Sequence, residues 1–204
     1  MSPAEFQAET GVDAATTKRL QVHLDSVLRW QRQINLVGSG ALTDPWRRHV
    51  LDSAQLVPLL PVAAPTIVDL GTGAGFPGVV LAIMGASRVN LVESNARKCV
   101  FLAEVLRITA TSATIHPIRI ERLPALSADV VTARGCANLL TLLDYAAPLL
   151  APTGFCLFLK GRSAQAELTA CQEKWKMRVE RIPSRSDPTG VILKLSEISP
   201  RHDR

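Results

Sequence analysis

The chain has 204 residues, of which 47% are hydrophobic and 20% charged, an ordinary globular composition that excludes wholesale disorder. Its formal net charge of +5 is compatible with a polyanionic partner but does not establish one. The first residues lack the basic start and apolar run of a signal peptide, and no apolar stretch reaches the roughly 18 residues of a membrane span, so we expect a cytoplasmic protein without a membrane partner.

The first sixty residues have helical patterns. Ser2, Pro3 and Glu5 predict a helix start with a capping box. Apolar residues recur at helical spacing over residues 16–34, and Asp44 followed by Pro45 predicts another helix that continues to about Leu60. We therefore expect residues 1–64 to form an N-terminal helical extension.

The pattern changes after Pro61 and Pro65. Strands are predicted at 66–70, 88–93, 113–116, 129–132, 155–159, 179–182 and 191–195, with intervening helices at 77–84, 95–108, 138–150 and 164–175. This alternation predicts a compact α/β unit over residues 65–204, with a mostly parallel seven-stranded sheet and helices on both faces. Residues 183–190 are too few for a helical crossover, so the last two strands should be antiparallel.

A glycine-rich segment, DLGTGAGFPG at residues 69–78, follows the first predicted strand and opens a helix. Glycines allow a ligand to approach the backbone closely. Gly73, Gly75 and Gly78 match the dinucleotide-binding spacing, which is weak when taken alone. Asp69 adds the D-x-G-x-G-x-G arrangement that is typical of loops binding S-adenosylmethionine.

Glu93 ends the second predicted strand, where a carboxylate can accept both ribose hydroxyls of either cofactor class. Ligands of open α/β sheets bind beyond the carboxyl ends of the strands. Gly71, Glu93, the loop with Ile120 and Glu121, and Arg134 are therefore expected to converge on one site.

Six short motifs resemble the RsmG (GidB) family of bacterial 16S rRNA guanine-N7 methyltransferases. They run almost end to end along the chain: NLV at 35–37, RHVLDS at 48–53, DLGTGAGFPG at 69–78, ES at 93–94 with RK at 97–98, RG at 134–135, and LKG at 159–161. The combination of RHVLDS and DLGTGAGFPG is far more specific than either motif alone. The resemblance implies a Rossmann-like class I methyltransferase fold, S-adenosylmethionine as cofactor, and 16S rRNA or the small ribosomal subunit as partner of a monomeric enzyme.

The family's cofactor contacts correspond here to Gly71, Phe76, Ile120, Glu121 and Arg134. Together with the residues singled out above, the predicted cofactor site comprises Asp69, Gly71, Gly73, Gly75, Phe76, Glu93, Ile120, Glu121 and Arg134. The acid after the second strand is usually aspartate in this family, so Glu93 lengthens the acceptor.

The remaining residues that match the family's motifs are candidates for positioning the reactants or for contacting RNA, and each of them could instead have a purely structural role. Arg134 and His49 are candidates for positioning the reactants, although His49 could instead pair with Asp52 on a helix surface. Candidate RNA contacts are Arg48, Arg97, Lys98 and Lys160. The four cysteines form no C-x-x-C pair, so no metal site is expected, and Cys136 is interpreted as a buried small hydrophobe without a catalytic role.

Guanine N7 has a free lone pair and no proton, so its methylation needs alignment of the reactants rather than a general base. Two other functions remain open at this stage. The glycine spacing and Glu93 also suit a nicotinamide-dependent oxidoreductase, which leaves Asp69 and the RHVLDS block unexplained. The charge alone suits a non-catalytic RNA-binding module, which needs no glycine loop.

Overall fold

The computed structural model describes residues 1–61 and 63–201. The N-terminal part is helical, as predicted. Its first helix begins with the capping box that Ser2 and Glu5 form, and Asp13 caps the second helix through the backbone N–H of Thr16. The elements are α1 (Pro3–Thr10), α2 (Ala14–Trp30), a 3-10 turn (Ser39–Leu42), a π-helical stretch (Trp46–Leu51) that continues into α3 (Asp52–Ala54), and a second 3-10 turn (Val57–Leu59).

In the described ranges seven strands form one sheet, and all of them were predicted, although β4 to β7 are longer than expected. They are β1 (Thr66–Leu70), β2 (Arg88–Val92), β3 (Thr114–His116), β4 (Ala128–Arg134), β5 (Leu150–Lys160), β6 (Trp175–Pro183) and β7 (Val191–Pro200). The order is β3-β2-β1-β4-β5-β7-β6, with β1 to β5 parallel and β7 antiparallel to both neighbours. The predicted antiparallel pairing of the last two strands is confirmed.

Helices cover both faces of the sheet. They are α4 (Gly78–Ile83), α5 (Ala96–Ile108), α6 (Leu139–Ala146) and α7 (Ala164–Cys171). Because side chains alternate along a strand, the faces have separate cores: Ile67 and Leu91 pack with α4 and α5, whereas Val68 and Val131 pack with α6 and α7. The helix predicted over 164–175 ends at Cys171, since Trp175 begins β6.

The N-terminal helices share the core of α4 and α5. Phe6, Leu20, Leu24 and Val27 are buried in the same hydrophobic cluster as Phe101. The extension therefore covers one face of the sheet, and its residues can reach the carboxyl ends of the strands. Among the described residues, no helix is long and apolar enough to cross a membrane.

Candidate functional site

The glycine loop turns from β1 into α4 and is held from behind by Asp69. This fully buried carboxylate accepts hydrogen bonds from the backbone N–H of Gly78 at 2.9 Å and from the hydroxyl of Thr132 at 2.8 Å. Burial raises the pKa of Asp69 to about 6, and these hydrogen bonds oppose that rise. Asp69 does not line the cavity in front of the loop. Asp69 therefore shapes the loop from behind, and its predicted cofactor contact stays a prediction.

Gly71 and Gly73 form part of the cavity wall, and both have positive φ. A Cβ atom on Gly71 would lie 2.7 Å from Cβ of Cys136, so only glycine fits there. Gly75 faces the protein interior instead, where an added Cβ would contact Val79 and the ring of His23. The three glycines thus have different roles: two border the cavity, and one permits close packing behind it.

The cavity itself has a volume of about 320 Å³ and joins the ends of β1, β2 and β4. Glu93 lies on its wall with one carboxylate oxygen 3.2 Å from the backbone nitrogen of Gly73 and the other 2.7 Å from that of Asn95. The lining residues are Leu36, Val37, Gly71, Thr72, Gly73, Ala74, Phe76, Glu93, Lys98, Arg134, Gly135 and Cys136.

Phe76 is contacted by residues from three elements. The rings of His23 on α2 and His49 in the π-helical stretch stack on it at centroid distances of 4.7 and 4.8 Å. The guanidinium carbon of Arg134 lies 5.0 Å from the ring centroid, a cation–π geometry. Phe76 therefore connects the helical extension with the glycine loop and β4.

Arg134 stands between this cavity and a second, larger one. Its Nη1 atom donates to the carbonyl of Arg48 at 2.9 Å and lies 3.3 Å from a carboxylate oxygen of Asp52. The second cavity, which we call the basin, has a volume of about 750 Å³ and shares Arg134 and Gly135 with the first. It is lined by residues 43–44, 47–49, 52, 134–135, 159–162, 184 and 186–191.

The two histidines that stack on Phe76, His23 and His49, are buried, and burial disfavours their protonated forms. Burial lowers the pKa of His23 to about 4, although its Nε2 lies 2.8 Å from the carbonyl of Ala74. Burial and the neighbouring Arg134 lower the pKa of His49 to about 3, and within the described part of the chain neither of its ring nitrogens has a hydrogen-bond partner. Both imidazoles are thus neutral at physiological pH.

The alternative that His49 pairs with Asp52 on a helix surface is wrong. His49 is only 5% exposed and makes no hydrogen bond to Asp52, whose carboxylate faces Arg134 instead. That alternative assumed a regular α-helix, whereas residues 46–51 form a π-helical stretch with a wider turn.

Cys136 also differs from its prediction. Its side chain is exposed and lies at the first cavity, not in the core. Desolvation nevertheless raises the pKa of this thiol to about 11, so the conclusion that it is not an activated nucleophile is retained. The sequence signal that could have placed it is its position two residues after β4, at the carboxyl edge of the sheet.

The remaining predicted site residues are spread over different surroundings. Ile120 and Glu121 do not line the described cavity, and Glu121 accepts a hydrogen bond from the Tyr145 hydroxyl at 2.8 Å. Their cofactor contacts stay a prediction. Lys98 lies at the first cavity rather than the basin, Arg48 is exposed at the basin, and Arg97 is exposed on α5.

Lys160 reaches the basin wall, but its ammonium is engaged. It lies 2.6 Å from a carboxylate oxygen of Glu167 and donates to the carbonyl of Ala137, with 8% of its side chain exposed. Exposed Arg162 follows it at the basin. Of the two, Arg162 has the geometry expected of a phosphate contact.

Comparisons with known proteins agree with this arrangement. The family model for rRNA small subunit methyltransferase G (GidB) matches residues 16–189. Among curated relatives, the ribosomal RNA small subunit methyltransferases G of Paramagnetospirillum magneticum and Rhodospirillum rubrum are each 52% identical. The first alignment covers 98% of this chain and 97% of the relative, and the second covers 97% and 98%.

Solved structures show the same fold at low identity. The ribosomal protein L11 methylase of Lactobacillus delbrueckii has a TM-score of 0.59 at 17% identity, covering 74% of this chain and 77% of that one. A SAM-dependent methyltransferase of Aquifex aeolicus has a TM-score of 0.58 at 14% identity, covering 76% and 95%. The fold is therefore that of class I S-adenosylmethionine-dependent methyltransferases.

Proposed function

The chain belongs to the rRNA small subunit methyltransferase G (GidB) family, and we propose that it methylates N7 of a guanine in 16S rRNA. It is an S-adenosylmethionine-dependent methyltransferase of small-subunit rRNA. A nicotinamide-dependent oxidoreductase and a non-catalytic RNA-binding module do not agree with this family. The expected monomeric state and cytoplasmic location stay predictions.

The first cavity fits the cofactor. The Glu93 carboxylate suits the ribose hydroxyls, and the glycine backbone leaves room for close approach. Thr72 also lines this cavity, and its hydroxyl lies beside the Asp69 carboxylate behind the loop. When bound, S-adenosylmethionine supplies an electrophilic methyl group on a sulfonium. Glu93, Gly71, Gly73, Thr72 and Phe76 then have the role of holding it.

The observation that carries the substrate assignment is the shared wall of the two cavities. Because Arg134 and Gly135 border both, a base that enters the basin approaches the cofactor cavity at Arg134. Arg48 and Arg162 are exposed at the basin, where they suit the phosphates that flank the target nucleotide. Arg134 has the role of orienting the base toward the methyl group, since proximity and alignment are what this displacement requires.

The chemistry of N7 suits the groups at the site. His23 and His49 have pKa values lowered to about 4 and 3, and Asp69 is buried behind the glycine loop. None of these three offers an accessible base tuned to neutral pH. An acceptor that must lose a proton would need such a base, whereas N7 does not.

The test uses purified protein with 16S rRNA and small subunits from cells that lack it, followed by mass spectrometry of nucleosides. We expect 7-methylguanosine, and a single-turnover rate that changes little between roughly pH 6.5 and 8.5 at saturating RNA. Methylation of an exocyclic amine or a ribose hydroxyl would overturn the N7 assignment. So would a tenfold rise in rate over that pH range that disappears in His49→Ala.

A further inference from the structure

Asp52 joins the cofactor cavity to the loop on the far side of the basin. One of its carboxylate oxygens lies 3.3 Å from Nη1 of Arg134. The side chains of Asp52 and Arg134 are only 16% and 19% exposed, so solvent screens the ion pair weakly. Arg134 is a cation at the junction of the two cavities, and its charged partner comes from the helical extension.

The other carboxylate oxygen of Asp52 faces the loop of residues 184–190, which connects β6 to β7. It accepts hydrogen bonds from the hydroxyl of Ser186 and from the side-chain amide of Gln55. Gln55 in turn donates to the Ser184 hydroxyl at 3.2 Å and accepts from the backbone N–H of Arg185 at 2.8 Å. Two neighbouring side chains of the extension therefore anchor three consecutive residues of this loop.

Arg134 and the 184–190 loop, which Asp52 holds from its two sides, both border the basin. Ser184 and residues 186–190 of the loop line it, as does Arg134. Among the described residues, the guanidinium also donates to the carbonyl of Arg48 and has an aromatic contact with Phe76. Without the carboxylate it could turn about that bond, and the loop would lose its link to the cofactor side.

We propose that Asp52 is a positioning residue for methyl transfer, which orients Arg134 and holds the 184–190 loop as the wall of the substrate basin. The inference rests on the proposed function, because it assigns the basin to the target nucleotide. It adds a defined task for the helical extension. The Asp52 carboxylate contacts both Arg134, at the cofactor cavity, and the 184–190 loop, at the basin, and so fixes the distance between them.

Two substitutions separate the two halves of this task. Asp52→Asn retains an oxygen for Ser186 and Gln55 but removes the negative charge from Arg134. Ser186→Ala removes the loop contact and leaves the ion pair. As a matched control, Asp144→Asn removes the charge from a carboxylate that pairs with Lys174 at 2.8 Å on another surface.

We expect Asp52→Asn to lower kcat on the order of 10- to 100-fold, because misplacement at a reacting site is costly. Its KM for RNA should change by less than about threefold. Ser186→Ala should raise KM for RNA by about three- to tenfold, the effect of one hydrogen bond, with kcat near wild type. Asp144→Asn should match the wild type in both. Thermal unfolding measures how much of the Asp52→Asn protein is folded. If the fall in kcat is no larger than the loss of folded protein, the proposal is overturned.

A double-mutant cycle with Arg134→Lys tests whether Asp52 acts through Arg134. If it does, adding Asp52→Asn to Arg134→Lys should lower kcat much less than it does in the wild type, since coupled sites are not additive. Full additivity would contradict the proposal.

Two measurements that need no RNA test the role of Asp52 independently of the proposed function. Asp52→Asn should weaken S-adenosylhomocysteine binding by about tenfold in calorimetry, because Arg134 borders that cavity. Both Asp52→Ala and Ser186→Ala should speed tryptic cleavage after Arg185. A wild-type protein that methylates no guanine would overturn the proposed function alone. Unchanged affinity and unchanged cleavage would overturn the role of Asp52.

Discussion

At the scale of single residues, the cavity that we propose for the cofactor combines the backbone of the glycine loop with the carboxylate of Glu93. Glu93 is held by two backbone N–H groups, those of Gly73 and Asn95, and is 8% exposed. The longer side chain, compared with the aspartate usual in the family, thus has a fixed position. We therefore expect its carboxylate to contribute directly to cofactor affinity.

Replacing Glu93 by Ala should weaken cofactor binding, since it removes a charged acceptor worth about 1.5–3 kcal/mol. Isothermal titration calorimetry with S-adenosylhomocysteine measures this loss. Glu104→Ala, which removes an exposed carboxylate paired with Arg107 on α5, is the control and should bind normally. If Glu93→Ala binds S-adenosylhomocysteine as tightly as the wild type, Glu93 is not part of the cofactor site.

Gly71 is the second residue with a direct prediction. Its φ of +60° disfavours a side chain, and an added Cβ would meet Cβ of Cys136 at 2.7 Å. Gly71→Ala should therefore lose about 1–2 kcal/mol of stability from the left-handed backbone alone and should also bind cofactor more weakly. Chemical denaturation and calorimetry check both effects.

Gly161→Ala is the control for this position, because a Cβ there meets no atom within 4 Å. We expect its stability and cofactor affinity to match the wild type. The assignment of Gly71 to the cavity wall would be untenable if Gly71→Ala behaved like this control.

At the scale of elements, the end of β5 places two basic residues in opposite surroundings. Lys160 forms a nearly buried ion pair with Glu167 of α7, and Glu167 also accepts from the backbone N–H of Leu139 at the start of α6. Arg162, two residues later, is exposed at the basin. The first joins β5 to two helices, whereas the second is free to meet a polyanion.

Lys160→Met should therefore act on stability, at a cost on the order of 1–3 kcal/mol, because the Glu167 carboxylate loses its charged partner and keeps only hydrogen bonds such as that from Leu139. Arg162→Ala should leave stability unchanged but weaken RNA binding and reduce its dependence on salt. Denaturant unfolding and filter binding at several salt concentrations separate the two effects. Lys174→Met, which breaks an exposed pair, should cost under about 1 kcal/mol. A stable Lys160→Met with weak RNA binding would instead make Lys160 an RNA contact.

At the scale of the whole molecule, two neutral histidines in the shared core affect stability against acid. In the unfolded chain a histidine binds its proton near the ordinary pKa of 6.5, whereas the folded pKa values are about 4 and 3. Stability must therefore fall as the pH drops below about 6.5. Asp69 acts in the opposite direction, since its folded pKa of about 6 exceeds the ordinary aspartate value of 3.8 and favours the folded state as the pH falls from 6 toward 4.

We expect His49→Phe to reduce this acid sensitivity, because the replacement keeps an aromatic ring against Phe76 and removes the titrating group. Between pH 7.5 and 5, its free energy of unfolding should fall by about 2 kcal/mol less than that of the wild type. Urea unfolding at both pH values gives the comparison. An equal fall in the two proteins would show that His49 can be protonated in the folded state.

The sequence by itself determined the elements and the glycine loop that we propose to bind the cofactor. Periods of 2 and 3.6 residues are local properties of the chain, so all seven strands and the main helices could be predicted. The same holds for the D-x-G-x-G-x-G segment and Glu93, because a strand end and the turn after it are continuous in sequence. The motifs also led to the family.

The tertiary structure alone decided which side chains meet. Asp52 and Arg134 are 82 residues apart, and their contact depends on how the helical extension packs on the sheet. Asp52 paired with Arg134 rather than His49, the Glu167 carboxylate engaged Lys160, and the fold brought Cys136 against Gly71. Such contacts follow from long-range packing between elements, which residue spacing along one helix or strand does not encode.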